Sequence, residues 1–336
     1  MLKVLATGTI MVDILAVELA RIADPGEVIY LDREVEVRIG GHPIDVGIDL
    51  VKLGLSPQEI GVVAAVGEGL FGDYVKRIIK QYRIQAFLQE VAKTDTGKNI
   101  VLESKGEDRR FHIDPGANWY LDPEFVKGKI RELSPKVFCL RPGYCGIDLK
   151  LEELFQEAKA QNSLLFLDTM KFHPKRPKEL LLPLFHYVDA VHCNPKEAMV
   201  NTGKDDPEEA LKEILRRGAK AIFLTKGGEG AELITQEFRI SQPGFRVNFV
   251  DATGAGDAFC AGVVYKLIEF NRLDDIHKMS HDKLIEILMM GQAVGASAAT
   301  KAGCVEGVAK DKVDQIMREQ GEKILKSTIV KSGPWS

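Results

Sequence analysis

The sequence is short of the features that mark several protein classes. No run of about 18 uncharged apolar residues occurs, so no membrane-spanning helix is expected. No basic run extends beyond a few residues and the formal net charge is −4, which leaves no electrostatic footprint for nucleic acid. Cysteines number five (Cys139, Cys145, Cys193, Cys260, Cys304), an odd, scattered set without a C-x-x-C pair. That argues against a disulfide framework or a cysteine-bound zinc, and for free thiols in a reducing cytoplasm. Three catalytic signatures are also missing. The chain has no G-x-x-x-x-G-K-[ST], no G-x-S-x-G and no H-E-x-x-H, which excludes a P-loop kinase, a nucleophile-elbow hydrolase and a zincin. Internal repeats and low-complexity linkers are absent. The opening residues read as a first strand and not as a signal peptide, because Asp13 interrupts the apolar run.

What is present is an ordinary globular balance over 336 residues, 45% hydrophobic and 28% charged, enough for one large α/β domain or two smaller ones. Short apolar runs at 3–7, 60–66, 137–140, 164–167, 190–192, 221–225 and 231–235 predict strands. They alternate with helical patterns at 43–52, 74–81, 151–160, 195–200, 207–217, 258–270, 283–300 and 310–320. Such alternation predicts a central, mainly parallel sheet flanked by helices, with ligands gathered at the carboxyl ends of its strands. Two stretches, 27–39 and 97–113, alternate apolar and polar residues instead, and so predict half-exposed antiparallel strands. They are too few for a domain of their own. One domain over 1–336 is expected, with a small β-sheet lid from segments near 12–39 and 97–114.

The densest chemical signal is Asp251, Ala252, Thr253, Gly254, Ala255, Gly256 and Asp257, between a strand-like stretch at 245–250 and the apolar helix pattern. Small residues at Gly254, Ala255 and Gly256 let an anion approach the backbone, and the N–H groups that open a helix point at it. A carboxylate beside an anion hole repels a bound anion. It makes sense as a base that takes a proton from an attacking hydroxyl while the N–H groups hold a transferring phosphoryl group. The competing reading is a Gly-rich turn with an Asp cap.

Further motifs follow one another along the chain. Gly8 stands five residues before Asp13, and Gly40 and Gly41 precede Asp45 at a helix start. Asn194 and Glu197 follow a strand, while Thr225, Gly227 and Gly230 lie in a strand-to-strand turn. Together with D-x-x-G-A-G-D, these resemble the ribokinase-like (PfkB) family of sugar and nucleoside kinases over essentially the whole chain. The resemblance implies an ATP-dependent kinase acting on a hydroxymethyl group of a sugar, of ribose, fructose, 2-keto-3-deoxygluconate or polyol type. It implies Asp257 as base and Gly254, Ala255 and Gly256 as anion hole. Asp13, Gly40, Gly41 and Asp45 would hold the acceptor. Asn194, Thr225, Gly227, Gly230 and Lys171 would hold ATP, and Glu197 would organise Mg2+ through water. Asp251, Thr253, Ala298, Lys301, Gly303 and Gly307 are placed as in relatives that bind K+. A homodimer through the lid is a further implication. Asp45 departs from the family's Asn, and an ionised carboxylate only accepts hydrogen bonds where an amide also donates. Met170 likewise departs from D-x-N-x-R after Asp168, leaving Lys171 to supply positive charge.

Alternatives remain at this level. Tyr30, Phe111, Trp119 and Tyr120 leave room for the base pocket of a nucleoside kinase. Gly67, Gly69 and Gly72 match G-x-G-x-x-G, the fingerprint of an NAD-dependent dehydrogenase. A non-catalytic sugar sensor would need a defective base or anion hole.

Overall fold

The structure is a computed structural model, describing residues 2–107, 109–177, 179–270 and 276–333. Runs of Val, Ile, Leu and Ala with no polar alternation form strands buried on both faces. They are β1 (Val4–Gly8), β4 (Ile60–Gly67), β8 (Val137–Arg141), β9 (Leu164–Asp168), β10 (Ala190–Cys193) and β11 (Ile222–Thr225). With β5 (Gln85–Val91), β12 (Ala231–Ile234), β13 (Phe238–Gln242) and β14 (Ile329–Ser332) they build one sheet in the order β14-β13-β12-β11-β10-β9-β8-β1-β4-β5. Pairing is parallel from β5 to β11 and antiparallel from β11 to β14. Val4 pairs with Ile60 on one side and Val137 on the other, so every parallel strand delivers its last residue to the same edge.

Helices cover both faces. On one lie α1 (His42–Leu53), α2 (Leu70–Tyr82), α7 (Ala255–Phe270) and α8 (His281–Ala298), burying Ile44, Val75, Val263 and Leu288 in one core. On the other lie α3 (Pro123–Leu133), α4 (Leu151–Ala160), α5 (Pro195–Thr202) and α6 (Pro207–Arg216), burying Val126, Phe155, Ala198 and Leu211. The outer α9 (Lys310–Lys326) packs on α8 through Val313 and Ile316.

A second, four-stranded sheet has the order β3-β2-β6-β7, from β2 (Met11–Leu19), β3 (Glu36–Gly40), β6 (Gly97–Ser104) and β7 (Arg110–Asp114). Only Thr9 and Ile10 separate β1 from β2. Asp13 therefore lies inside a strand, opposite Arg38 and Asn99.

The structure departs from the sequence reading in several places. Residues 245–250 form no strand: β13 is already paired on both sides, by β12 and β14, so no ladder is open to them. Of the alternating stretch 27–39 only the end is a strand, and Tyr30 stays 91% exposed, so alternation there faces no core. The strands β5, β13 and β14 and the helix α3 are not anticipated at all. Among the described residues no helix is long and apolar enough to cross a membrane.

Candidate active site

A cavity of about 490 Å³ opens where the carboxyl ends of the parallel strands meet the small sheet. The strands β1, β8, β9, β10 and β11 contribute through their last residues or the loop or helix that follows. Met11, Asp13, Asn99, Phe111 and Ile113 descend from the small sheet. Gly41, His42 and Asp45 open α1, and Gly254, Gly256 and Asp257 open α7.

Two glycines make those helix starts possible. Gly41 has φ +107°, and a Cβ there would stand 2.2 Å from the Thr9 carbonyl oxygen. Gly254 has φ +74°, and its Cβ would stand 2.1 Å from the Cys304 carbonyl oxygen. Any side chain at either position forces backbone apart.

The starts of α1 and α7 converge on a charged cluster. His42 Nδ1 lies 2.7 Å from Asp257 Oδ1 and 3.2 Å from Asp168 Oδ2. Arg141, the last residue of β8, donates from Nη1 to both Asp257 oxygens at 3.1 Å, and its Nε is 3.3 Å from Asp168 Oδ2. His192 Nδ1 lies 2.6 Å from Asp168 Oδ1, and its Nε2 is 3.2 Å from Thr225 Oγ1. Burial pushes the Asp257 carboxyl up, but Arg141 and His42 outweigh it and hold Asp257 below the ordinary range. The same balance holds Asp168 well below its ordinary value. Burial pulls His42 down, and the two carboxylates more than reverse this, so the ring holds its proton more firmly than free histidine. His42, Asp168 and Asp257 stand close enough to share a metal ion, yet the guanidinium of Arg141 already bridges the two carboxylates.

At the lid end, Asp13 accepts from Asn99 Nδ2 at 3.0 Å and from the Cys304 thiol at 3.5 Å. Gly40 has no Cβ because Asp13 Oδ2 would lie 2.7 Å from it. Asp45 Oδ2 accepts the Gly41 N–H at 2.9 Å, the helix-opening role that competes with substrate binding. Its other oxygen, like Asn99 Oδ1 and His42 Nε2, is buried without a hydrogen-bond partner among the described residues. Burial, then the charges of Asp257, Asp49 and Asp13, push the Asp45 carboxyl well up. A buried neutral carboxyl donates one hydrogen bond and accepts others, as an amide does.

At the opposite end, Asn194 and Glu197 form a reciprocal capping box on α5, each bond 2.9 Å. Glu197 still lines the cavity, as do Asn194, Thr225 and Gly227. Gly230 and Ala255 do not, and the Ala255 N–H donates to the Ala252 carbonyl at 3.1 Å. Lys171 is exposed and also off the wall. Arg141 is the cavity's sole Arg or Lys among the described residues.

Behind the α7 turn, Asp251 Oδ1 accepts from the Thr253 N–H and hydroxyl, and Oδ2 from the Gly303 N–H at 3.2 Å. Arg109, from the connection between β6 and β7, pairs with Asp251 at 2.5 Å and contacts the Thr253 hydroxyl. The Ala298 and Gly307 carbonyls accept from the Lys301 N–H and the Ser297 hydroxyl. The turn at Gly67, Gly69 and Gly72 lies elsewhere. A Cβ on Gly67 would stand 2.2 Å from the Thr94 oxygen and one on Gly72 2.0 Å from the Gly67 oxygen. Those glycines serve packing of the chain on itself, which leaves no dinucleotide crevice there. Of the four aromatics anticipated under the lid, only Phe111 lines the cavity; Trp119 instead packs on His173 and under Arg176.

His42, Arg141, His192, Asn99, Tyr144 and Cys304 escape the sequence reading. Arg141 carried the clearest signal, a charged residue closing an otherwise apolar strand.

Comparison with known proteins agrees with this geometry. The model of the pfkB family carbohydrate kinases matches residues 1–311. Fructokinase-2 of Zea mays is 28% identical over 284 residues, covering 79% of this chain and 81% of that protein. Ribokinase from Giardia lamblia superposes with a TM-score of 0.80 at 19% identity, covering 95% of this chain and 99% of that one. The Arabidopsis thaliana ribokinase solved with ribose and ATP superposes with a TM-score of 0.73 at 18% identity, covering 94% and 98%. With its parallel sheet, its small sheet over the cavity and this match across most of its length, the chain belongs to the pfkB family of carbohydrate kinases.

Proposed function

We propose that the chain transfers the γ-phosphoryl group of ATP to a hydroxymethyl group of an unphosphorylated sugar of ribose, fructose, 2-keto-3-deoxygluconate or polyol type. The observation that carries this reading is the position of Asp257. It stands in the first turn of α7, on the cavity wall, between the Asp13 and Asn99 end and the Asn194 and Glu197 end. A carboxylate there reaches an acceptor hydroxyl and a phosphoryl group together. The N–H groups of Gly254 and Gly256 stabilise the transferring group, while that of Ala255 is committed to the Ala252 carbonyl. Asp13, Asn99, Gly41 and Asp45 hold the acceptor, and the small sheet excludes water, which competes as acceptor.

Glu197 fits magnesium held through water, since the capping box uses one of its oxygens and leaves the other uncommitted. The ion's contribution is neutralisation of phosphate charge. Asn194, Thr225 and Gly227 lie along ATP. Potassium is the conditional part of this reading, because a cation at Asp251 has to share its carboxylate with Arg109. An unphosphorylated acceptor is favoured over a phosphorylated one because the unpartnered Asp45 and Asn99 oxygens offer acceptors to hydroxyls and none to a phosphate. One ribokinase-like domain, a cytoplasmic location and a homodimer through the small sheet complete the proposal.

The test is ATP-to-ADP turnover with magnesium against ribose, fructose, ketodeoxygluconate, inositol, adenosine, cytidine and fructose phosphates. Turnover on one acceptor that disappears in Asp257→Asn supports the reading. Turnover that persists in the variant removes Asp257 as base.

A further inference from the structure

Phosphoryl transfer needs positive charge beside the transferring group, and an acid can act as base only with an oxygen free to take the proton. The cavity as it stands meets neither need separately. Arg141 is its one Arg or Lys among the described residues, and its Nη1 sits 3.1 Å from both oxygens of Asp257. Its side chain is 25% exposed toward the cavity, so it is not walled in. It also has a second anchor, Nε beside Asp168 Oδ2 at 3.3 Å, which remains when the Nη end moves.

We propose, resting on the kinase reading above, that Arg141 is a catalytic residue that leaves Asp257 for the γ-phosphoryl group when ATP binds. The move does two things at once. It brings a guanidinium to the oxygens where charge develops, and it uncovers the carboxylate that must receive a proton. In the step that follows, the acceptor hydroxyl oxygen forms a bond to the γ-phosphorus. The bond from that phosphorus to the β,γ-bridging oxygen breaks, and its electron pair stays on that oxygen as ADP. The hydroxyl proton passes to Asp257. Without ATP the guanidinium returns to Asp257, so the base is masked whenever there is nothing to transfer. His42 remains on Asp257 Oδ1 throughout and leaves Oδ2 as the receiving oxygen.

The charged and titratable groups facing Asp257 are Arg141 from β8, Asp168 from β9, and His42, Asp45 and Asp49 from α1. Tyr144, Cys260 and Cys304 complete the set. Of these, Arg141 is the strongest influence that lowers the Asp257 carboxyl, so its removal moves Asp257 upward.

The experiment compares wild type with Arg141→Gln and Arg141→Lys by calorimetric titration of ATP and ADP and by pH profiles of turnover. Arg141→Gln is expected to bind ADP as wild type does and ATP about tenfold more weakly, since only ATP has the γ-phosphoryl group. Its kcat falls about a hundredfold or more, and the acidic limb of kcat/KM moves to higher pH. Arg141→Lys keeps most of the ATP-over-ADP preference, and serves alone if the glutamine variant fails to fold. Equal weakening of ATP and ADP, or an unmoved acidic limb, overturns the proposal. The two readings fail separately. A wild type that neither binds ATP nor turns over any acceptor sinks the kinase reading, while a wild type that turns over beside an equally active Arg141→Gln sinks only the role of Arg141.

Discussion

Asp49 offers a stability test that needs no substrate. It lies one turn beyond Asp45 on α1, is fully buried, and neither carboxylate oxygen has a hydrogen-bond partner among the described residues. Burial pushes its carboxyl well above 3.8; Lys52 pulls it back, and the charges of Asp257 and Glu306 add to the rise. Lys52 is no close partner, because its Nζ donates to the Val305 carbonyl. Burial therefore favours the neutral form of Asp49 in the folded chain. For an acid raised by folding, the unfolded chain loses its proton first. Stability is fully present below the unfolded value and falls as pH rises toward the folded one. The slope is one proton, about 1.4 kcal/mol per pH unit. Asparagine is nearly the same shape as the neutral acid and does not titrate. The stability of Asp49→Asn relative to wild type should therefore rise with pH above the unfolded value, by up to about 1.4 kcal/mol per pH unit, measured by urea unfolding across a pH series. Parallel pH profiles, or a variant that loses ground as pH rises, would refute the neutral-acid argument.

Asp257→Asn should lower turnover by about a hundredfold to ten-thousandfold with ATP affinity kept, by kinetics and calorimetry side by side. Gly41→Ala should reduce the melting temperature and raise the acceptor KM, because its Cβ meets the Thr9 oxygen at 2.2 Å on a backbone of φ +107°; an unchanged melting curve would contradict that contact. Turnover in potassium should equal turnover in sodium at matched ionic strength, since Arg109 supplies positive charge to Asp251. Clear acceleration by potassium would show that Arg109 gives way to a cation.

Local patterns were readable in the sequence wherever local physics governs. Gly254 and Gly41 announce themselves because only a glycine tolerates those backbone angles and close approaches. The parallel strands other than β5 announce themselves by uninterrupted apolar runs, and Asn194 with Glu197 by helix-cap spacing. What stayed hidden is set by partners distant along the chain. Asp257 is clamped by His42 and Arg141, 215 and 116 residues away, and no periodicity links them. Lys171 and Arg141 are equally good cations as letters; only the register of β8 beside β9 puts Arg141 on the wall and leaves Lys171 outside. Residues 245–250 look like a strand, but a strand needs a free ladder, and β14 had taken the edge beside β13.

The common polarity of the parallel strands has a practical consequence. With the chemistry gathered at one rim of the sheet, the opposite rim is a place for handles. The connection leading into β11 lies there, and Arg217 within it is exposed with an ordinary backbone of φ −76°. All five native cysteines are buried. A thiol introduced as Arg217→Cys is therefore the one a maleimide dye or an activated surface meets first. It would fix the molecule with its cavity facing away from the support, ready for the titrations that the assignment of Arg141 requires.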